Sequence, residues 1–124
     1  MTDKDKTCCT GGPKLIFTCS GAADVGAVAD QAARKLNREG VGKMFCLAGV
    51  GGRVSGIMKT TEAASRILAI DGCPLDCVRH CLSEAGFDKF DHLRIYDLGL
   101  EKGKTPVSEE NIEVVAQKGR ELLA

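Results

Sequence analysis

Four short apolar runs separated by helical segments predict an α/β fold: one small, doubly wound, three-layer domain on a mostly parallel four-stranded sheet of order 2-1-3-4, with helices on both faces. Two observations carry that prediction. The runs 14–18, 43–47 and 66–70 are largely apolar and of strand length, as expected of covered parallel strands, and 92–98 reads as a fourth strand. The stretches between them place apolar residues at helical spacing or carry helix caps, so strand and helix alternate along the chain. A length of 124 residues suits one such domain, with a core large enough to fold without a staple.

The elements follow in order. Residues 1–13, with Cys8, Cys9, Gly11, Gly12 and Pro13, mix charge, glycine and proline without a periodic apolar pattern. They are expected to form a mobile tail ahead of the domain at 14–124. The first strand, 14–18, closes on Cys19, Ser20 and Gly21. Val25, Val28, Ala29, Ala32 and Leu36 then recur at helical spacing, with Asp24 a candidate N-cap and Gly40 the stop. The second strand, 43–47, contains Cys46 and runs into a flexible glycine loop at 48–52. Residues 55–65 read as a weak or broken helix, because Gly56, Thr60 and Thr61 dilute its pattern. The third strand, 66–70, leads into Asp71, Gly72 and Cys73. Pro74 suits the first turn of a helix whose apolar side is Leu75, Val78, Leu82 and Ala85. After the fourth strand, 92–98, and a loop, Ser108 caps a last helix with Ile112, Val115, Ala116, Leu122 and Leu123 on one face.

Composition narrows the function. Hydrophobic residues at 44% and charged residues at 27% are the proportions of a folded chain and not of a disordered one. The 17 basic side chains are balanced by 17 acidic ones, so no net field drives the protein onto nucleic acid or an acidic membrane. Four Phe, one Tyr and no Trp leave few stacking surfaces for single-stranded nucleic acid. No apolar run approaches the ~20 residues of a membrane span, and the start lacks a signal-peptide core, so a cytoplasmic location is expected. Seven cysteines, an odd number in a chain expected in a reducing compartment, imply free thiols for metal or redox chemistry.

Their positions are informative. Cys19 and Cys73 follow the first and third strands, and Cys46 sits near the end of the second. Parallel strands end on one edge, where α/β proteins bind their ligands, so these three are expected to meet. Cys77 lies four residues past Cys73. On a helix beginning at Pro74 the two would share a face, about 6 Å apart along the axis at ~1.5 Å per residue. Four thiolates from three loops suit tetrahedral zinc, with Zn–S near ~2.3 Å. Helix N-termini near Asp24 and Pro74 would offset the excess negative charge and favour a Cys73 thiolate. Asp71 is expected to act against this, as a further negative group or a rival oxygen ligand.

The run from Ile16 to Gly26, then Cys46-Leu47-Ala48-Gly49-Val50-Gly51, then Asp71-Gly72-Cys73-Pro74-Leu75-Asp76-Cys77 is similar to the DGC-domain family. These small prokaryotic proteins are named for the Asp-Gly-Cys triplet and are regarded as zinc-binding because of four candidate chelating cysteines. The resemblance covers most of the chain from Lys14 onward and implies zinc ligands at Cys19, Cys46, Cys73 and Cys77. It implies no reaction. The expected function is therefore metal binding, in metal handling, with a metal ion as partner and neither nucleic acid nor membrane. The alternative is a cytosolic thiol redox or sulfur-transfer enzyme with Cys73 as a low-pKa nucleophile and Cys77 or Cys46 resolving it. An iron–sulfur cluster on the same thiolates, or no cofactor, completes the alternatives.

The remaining candidates are weaker. Cys81 would lie about 12 Å from Cys73 along one helix axis, too far to share an ion, and reads as a packed or surface thiol. Cys8 and Cys9 read as free tail thiols. His92 is expected to open its strand at the edge opposite the cysteines, and His80 to point off the Cys77 face, so both read as surface histidines. Gly49, Gly51 and Gly52 fit neither the Rossmann nor the P-loop spacing. Cys73 and Arg79 have the spacing of cysteine phosphatases, but Pro74 removes a loop donor and Asp76 would repel an oxyanion. The Lys102-Gly103-Lys104 loop at the cysteine edge could attract an anionic partner, but reads as a solvated loop.

Overall fold

The computed structural model describes residues 11–124. Its four strands are β1 (Lys14–Thr18), β2 (Lys43–Met44), β3 (Arg66–Asp71) and β4 (Asp91–Arg94). They form one sheet of order β2-β1-β3-β4 in which every pairing is parallel. The expected α/β topology is the one observed. The helices are α1 (Asp24–Arg38), α2 (Leu47–Gly51), α3 (Ser55–Glu62), α4 (Cys77–Glu84) and α5 (Glu109–Leu123), with a 3-10 turn at Ile95–Leu98.

Alternation along the central strands sorts their side chains into two cores. Ile16, Leu68 and Ile70 pack with Val28, Ala32 and Leu36 of α1 and Val115 and Ala116 of α5. Leu15, Phe17, Ile67 and Ala69 face the other way, against Val50 of α2 and Val78 and Leu82 of α4. Helices therefore cover both faces. Since parallel strands all point one way, the ends of β1 and β3, at Thr18 and Asp71, emerge at the same edge.

Several boundaries differ from expectation for identifiable reasons. β2 stops at Met44, because Phe45 turns inward to meet Phe17 edge-on, with ring centroids 6.1 Å apart. Cys46 is thus not a strand residue; it is the N-cap of α2, its Sγ accepting from the Gly49 N–H at 3.4 Å. The expected flexible loop at 48–52 is largely helix. A Cβ at Gly49 would lie 2.7 Å from Ile57 Cγ1, so the missing side chain lets α2 and α3 pack, and packing outweighs poor helix propensity. The helix expected from Pro74 begins at Cys77, after a turn closed by Asp76 N–H donating to Cys73 C=O at 3.2 Å. The fourth strand ends at Arg94, where the chain curls into the 3-10 turn and buries Ile95 in the α1/α5 core. Asp24 is the first residue of α1, with Ala23 in the cap position. Of the expected tail, residues 1–10, including Cys8 and Cys9, lie outside the described residues. Pro13 belongs to the fold, its carbonyl accepting from Ser65 N–H at 2.9 Å.

Helices α1 and α5 are also tied by charge. The Arg120 guanidinium bridges Glu39 at 2.8 Å and Glu113 at 2.7 Å, and Lys35 reaches Glu113 at 2.7 Å. Hydrogen bonds from Arg120, then from Lys35, hold the Glu113 carboxyl at about 2, below its ordinary 4.5. A depressed carboxyl stabilises the fold above its unfolded pKa and loses that contribution as pH falls through its folded value. The melting temperature should therefore drop between pH 4.5 and about 2, less steeply in Arg120→Ala than in the parent. Thermal circular dichroism across that range measures the difference; parallel profiles would contradict it.

Candidate functional site

The edge where β1 and β3 end gathers the cysteines. Cys19 follows β1, Cys73 follows β3 by two residues and Cys77 opens α4. These three line one cavity of about 500 Å³ with Val25, Gly26 and Lys102. Two stretches distant in sequence, at 19 and at 73–77, thus bring thiols to a common space, as the positions of Cys19 and Cys73 after β1 and β3 imply. Cys46 lines an adjoining cavity of about 500 Å³ on the far side of Cys19. Cys19, Cys46, Cys73, Cys77 and Cys81 are all free thiols.

Two local devices build the cavity. A Cβ at Gly72 would fall 2.9 Å from the Val25 backbone, so only glycine lets the Asp-Gly-Cys turn rest on the first turn of α1 beside Cys19. Asp24 accepts from the N–H groups of Gly103 at 2.9 Å and Thr105 at 3.0 Å, drawing the loop that carries Lys102 over the N-terminus of α1. Those two donors, Gly103 first, hold the Asp24 carboxyl below the usual range.

The backbone on either side of the thiols is strained. Ser20, next to Cys19, and Asp76, next to Cys77, lie in the left-handed region at φ 46° and 53°. Such residues cost of order 1 kcal/mol each and cluster at functional sites. Here hydrogen bonds hold them: Ser20 Oγ donates to Asp30 at 2.8 Å, and Tyr96 OH donates to Asp76 at 3.0 Å.

Asp71 has a role that its place in the sequence does not suggest. It is 1% exposed, and its carboxyl accepts from Val78 N–H at 2.8 Å and Arg79 N–H at 3.2 Å, with His92 Nε2 at 2.7 Å. Helix α4 has no cap from its own N-cap residue; Asp71 supplies one from seven positions upstream. It fixes the loop that holds Cys73 and Cys77, and, after burial, its charge bears on the Cys77 thiol, raising it, as expected of a negative group there. His92 lies within β4 beside Ala69 and reaches Asp71 at the cysteine edge, which corrects its expected place at the opposite edge.

Among the described residues, the group of three metal-ligating atoms within 4.8 Å of one another is Asp71, Asp76 and His92. Its members are engaged with one another and with Val78, Arg79 and Tyr96, and two guanidiniums stand beside it: Arg94 Nε at 3.5 Å and Arg79 Nε at 3.7 Å from Asp76. Two positive charges repel a cation, so this is a hydrogen-bonded support for the thiol loop. The same contacts dispose of the phosphatase spacing, since Asp76 and His80 engage the Arg79 guanidinium.

The cysteine sulfurs stand apart; no three of them among the described residues fall within 4.8 Å of one another. The donor set nonetheless suits a thiophilic cation. A cysteine has one side-chain torsion, and a step between its staggered wells carries the sulfur about 3 Å. Cys77 is exposed as a residue, yet the packed surroundings of its thiol, and then the charge of Asp71 with Cys73, Cys19 and Cys81, push it up. That thiol stays protonated until a positive charge arrives, which disfavours it as an attacking nucleophile.

Fold and edge together define a parallel α/β domain with a thiol-lined cleft at the C-terminal ends of its strands. A family model for the DGC domain matches residues 15–118, and the chain belongs to that family. It is 39% identical over 88 residues to the anaerobic and virulence modulator AnvM of Pseudomonas aeruginosa, a match spanning 71% of this chain and 67% of that protein. No solved structure matches the chain.

Proposed function

We propose that this is a metal-handling protein in which Cys19, Cys46, Cys73 and Cys77 hold zinc at the sheet edge. The observation that carries this is the cavity shared by Cys19, Cys73 and Cys77, three thiols from two stretches distant in sequence, with Cys46 adjoining across Cys19. When bound, zinc supplies the positive charge that four thiolates require. The chain does the rest: Gly72 sets Cys73 against α1, Asp71 fixes the start of α4 and thereby Cys77, and the Gly49 N–H orients Cys46. The domain has two cores of its own, so the site is for handling metal and not for stapling the fold.

The free thiols among the described residues support a reducing compartment such as the cytoplasm; among the described residues no helix is long and apolar enough to cross a membrane. The relative's name, an anaerobic and virulence modulator, supports a regulatory role for a thiol site whose state depends on oxygen. The second reading is a thiol enzyme acting through Cys73 with Cys77 resolving, favoured by their common cavity beside Lys102.

Metal analysis of anaerobically purified protein separates the two. Stoichiometric zinc in the parent, lost in Cys→Ser variants at each of the four positions, is expected. Metal-free protein with one thiol reacting far faster than the others at neutral pH would favour the enzyme. Uptake should release protons from the ligand thiols, so affinity should rise with pH.

A further inference from the structure

We infer that Cys81 joins Cys19 and Cys46 in a second binding pocket, selective for a soft monovalent cation of the Cu(I) class. The inference rests on the reading that the edge thiols bind metal, and it concerns a different set of them. With α4 beginning at Cys77, Cys81 is one turn into the helix and its sulfur faces α2, 3.3 Å from where a Gly51 Cβ would sit. It lines the cavity that holds Cys19 and Cys46, whereas Cys73 and Cys77 line the other.

The walls of that cavity specify the chemistry. Met44 lines it too, adding a thioether to three thiols. Thiolate and thioether donors select Cu(I), which needs only two or three ligands, over cations that prefer oxygen. Asp30, also at the cavity, is paired with Arg34 at 2.7 Å, so its carboxylate is not offered as a hard ligand. Phe45 and Leu47 complete an apolar wall. Cys19 lines both cavities, and Cys46 belongs both to the proposed zinc set and to this pocket, so zinc on the four-cysteine set and a soft ion here exclude each other.

The test is anaerobic titration of the full chain with Cu(I) against bathocuproine disulfonate, with zinc content measured on the same samples. The parent should bind one Cu(I). Cys81→Ser and Cys46→Ser should bind it at least ~10-fold more weakly, the least that loss of even an outer-shell partner costs. Met44→Leu should also weaken binding, and Cys73→Ser, which removes the competing zinc, should bind Cu(I) at least as tightly as the parent. Cys46 is exposed, so its variant reports on the pocket whatever Cys81→Ser does to folding. Parent-like affinity in both Cys81→Ser and Cys46→Ser would overturn the inference, as would an equal loss in Cys73→Ser. Absence of zinc from the parent, with Cu(I) binding still dependent on Cys81, would sink the zinc site and leave this pocket standing.

Discussion

Asp71→Ala is expected to lower the unfolding free energy by about 3 kcal/mol and the melting temperature by about 10 °C. The carboxyl is almost wholly buried and accepts from two backbone N–H groups at the start of α4 while meeting His92. Alanine leaves those groups without a partner in a place water does not reach, and α4 has no other side-chain cap. Asp71→Asn keeps one acceptor oxygen and should recover about half of the loss. Urea unfolding measures both; a loss below about 1 kcal/mol for alanine would mean the helix is capped some other way. With the start of α4 released, Cys77 also loses its fixed position, so zinc affinity should fall even under conditions where the variant is fully folded.

Gly72→Ala is expected to cost about 1–3 kcal/mol through overpacking and to weaken zinc binding by ~10-fold or more, as displaced support for a ligand does. The new methyl would meet the Val25 carbonyl carbon and oxygen at 2.9 Å. Those are backbone atoms of a buried helical turn and cannot give way, so the Asp-Gly-Cys turn must move outward and carry Cys73 out of the cavity it shares with Cys19. Gly56→Ala is the control. No atom lies within 4 Å of its added Cβ, and it sits inside α3, so it should stabilise by roughly 0.5–1 kcal/mol. Equal effects at the two glycines would refute the close-approach explanation.

Much of the architecture was legible because parallel strands covered on both faces are written as apolar runs. With the handedness of crossovers, strand order follows from those runs, and so does the meeting of Cys19 and Cys73 at one cavity; Cys77 follows from its place four residues past Cys73. What sequence did not show depends on long-range partners. Phe45 reads as strand until Phe17 is placed beneath it, and the glycines after Cys46 read as loop until Ile57 fills the space over Gly49. Capping rules look to the residue at the helix start, so a cap offered by Asp71 across seven positions was invisible. On a helix from Pro74, Cys81 lies too far along the axis from Cys73 to share its ion; with the helix beginning at Cys77, it faces α2 and lines the cavity with Cys46. The one signal that could have found the Asp71–His92 contact was His92 at a position where a strand alternating His, Arg and Tyr around Leu93 and Ile95 had to keep a polar side near the third strand's end.

The most direct test of the thiol site is the absorption spectrum of the protein loaded anaerobically with Co(II) in place of zinc. An intense thiolate-to-cobalt charge-transfer band with the visible bands of tetrahedral coordination is expected, each reduced by Cys→Ser at Cys19, Cys46, Cys73 or Cys77. A cobalt spectrum lacking the thiolate band, or one that Cys19→Ser leaves untouched, would contradict the thiol site.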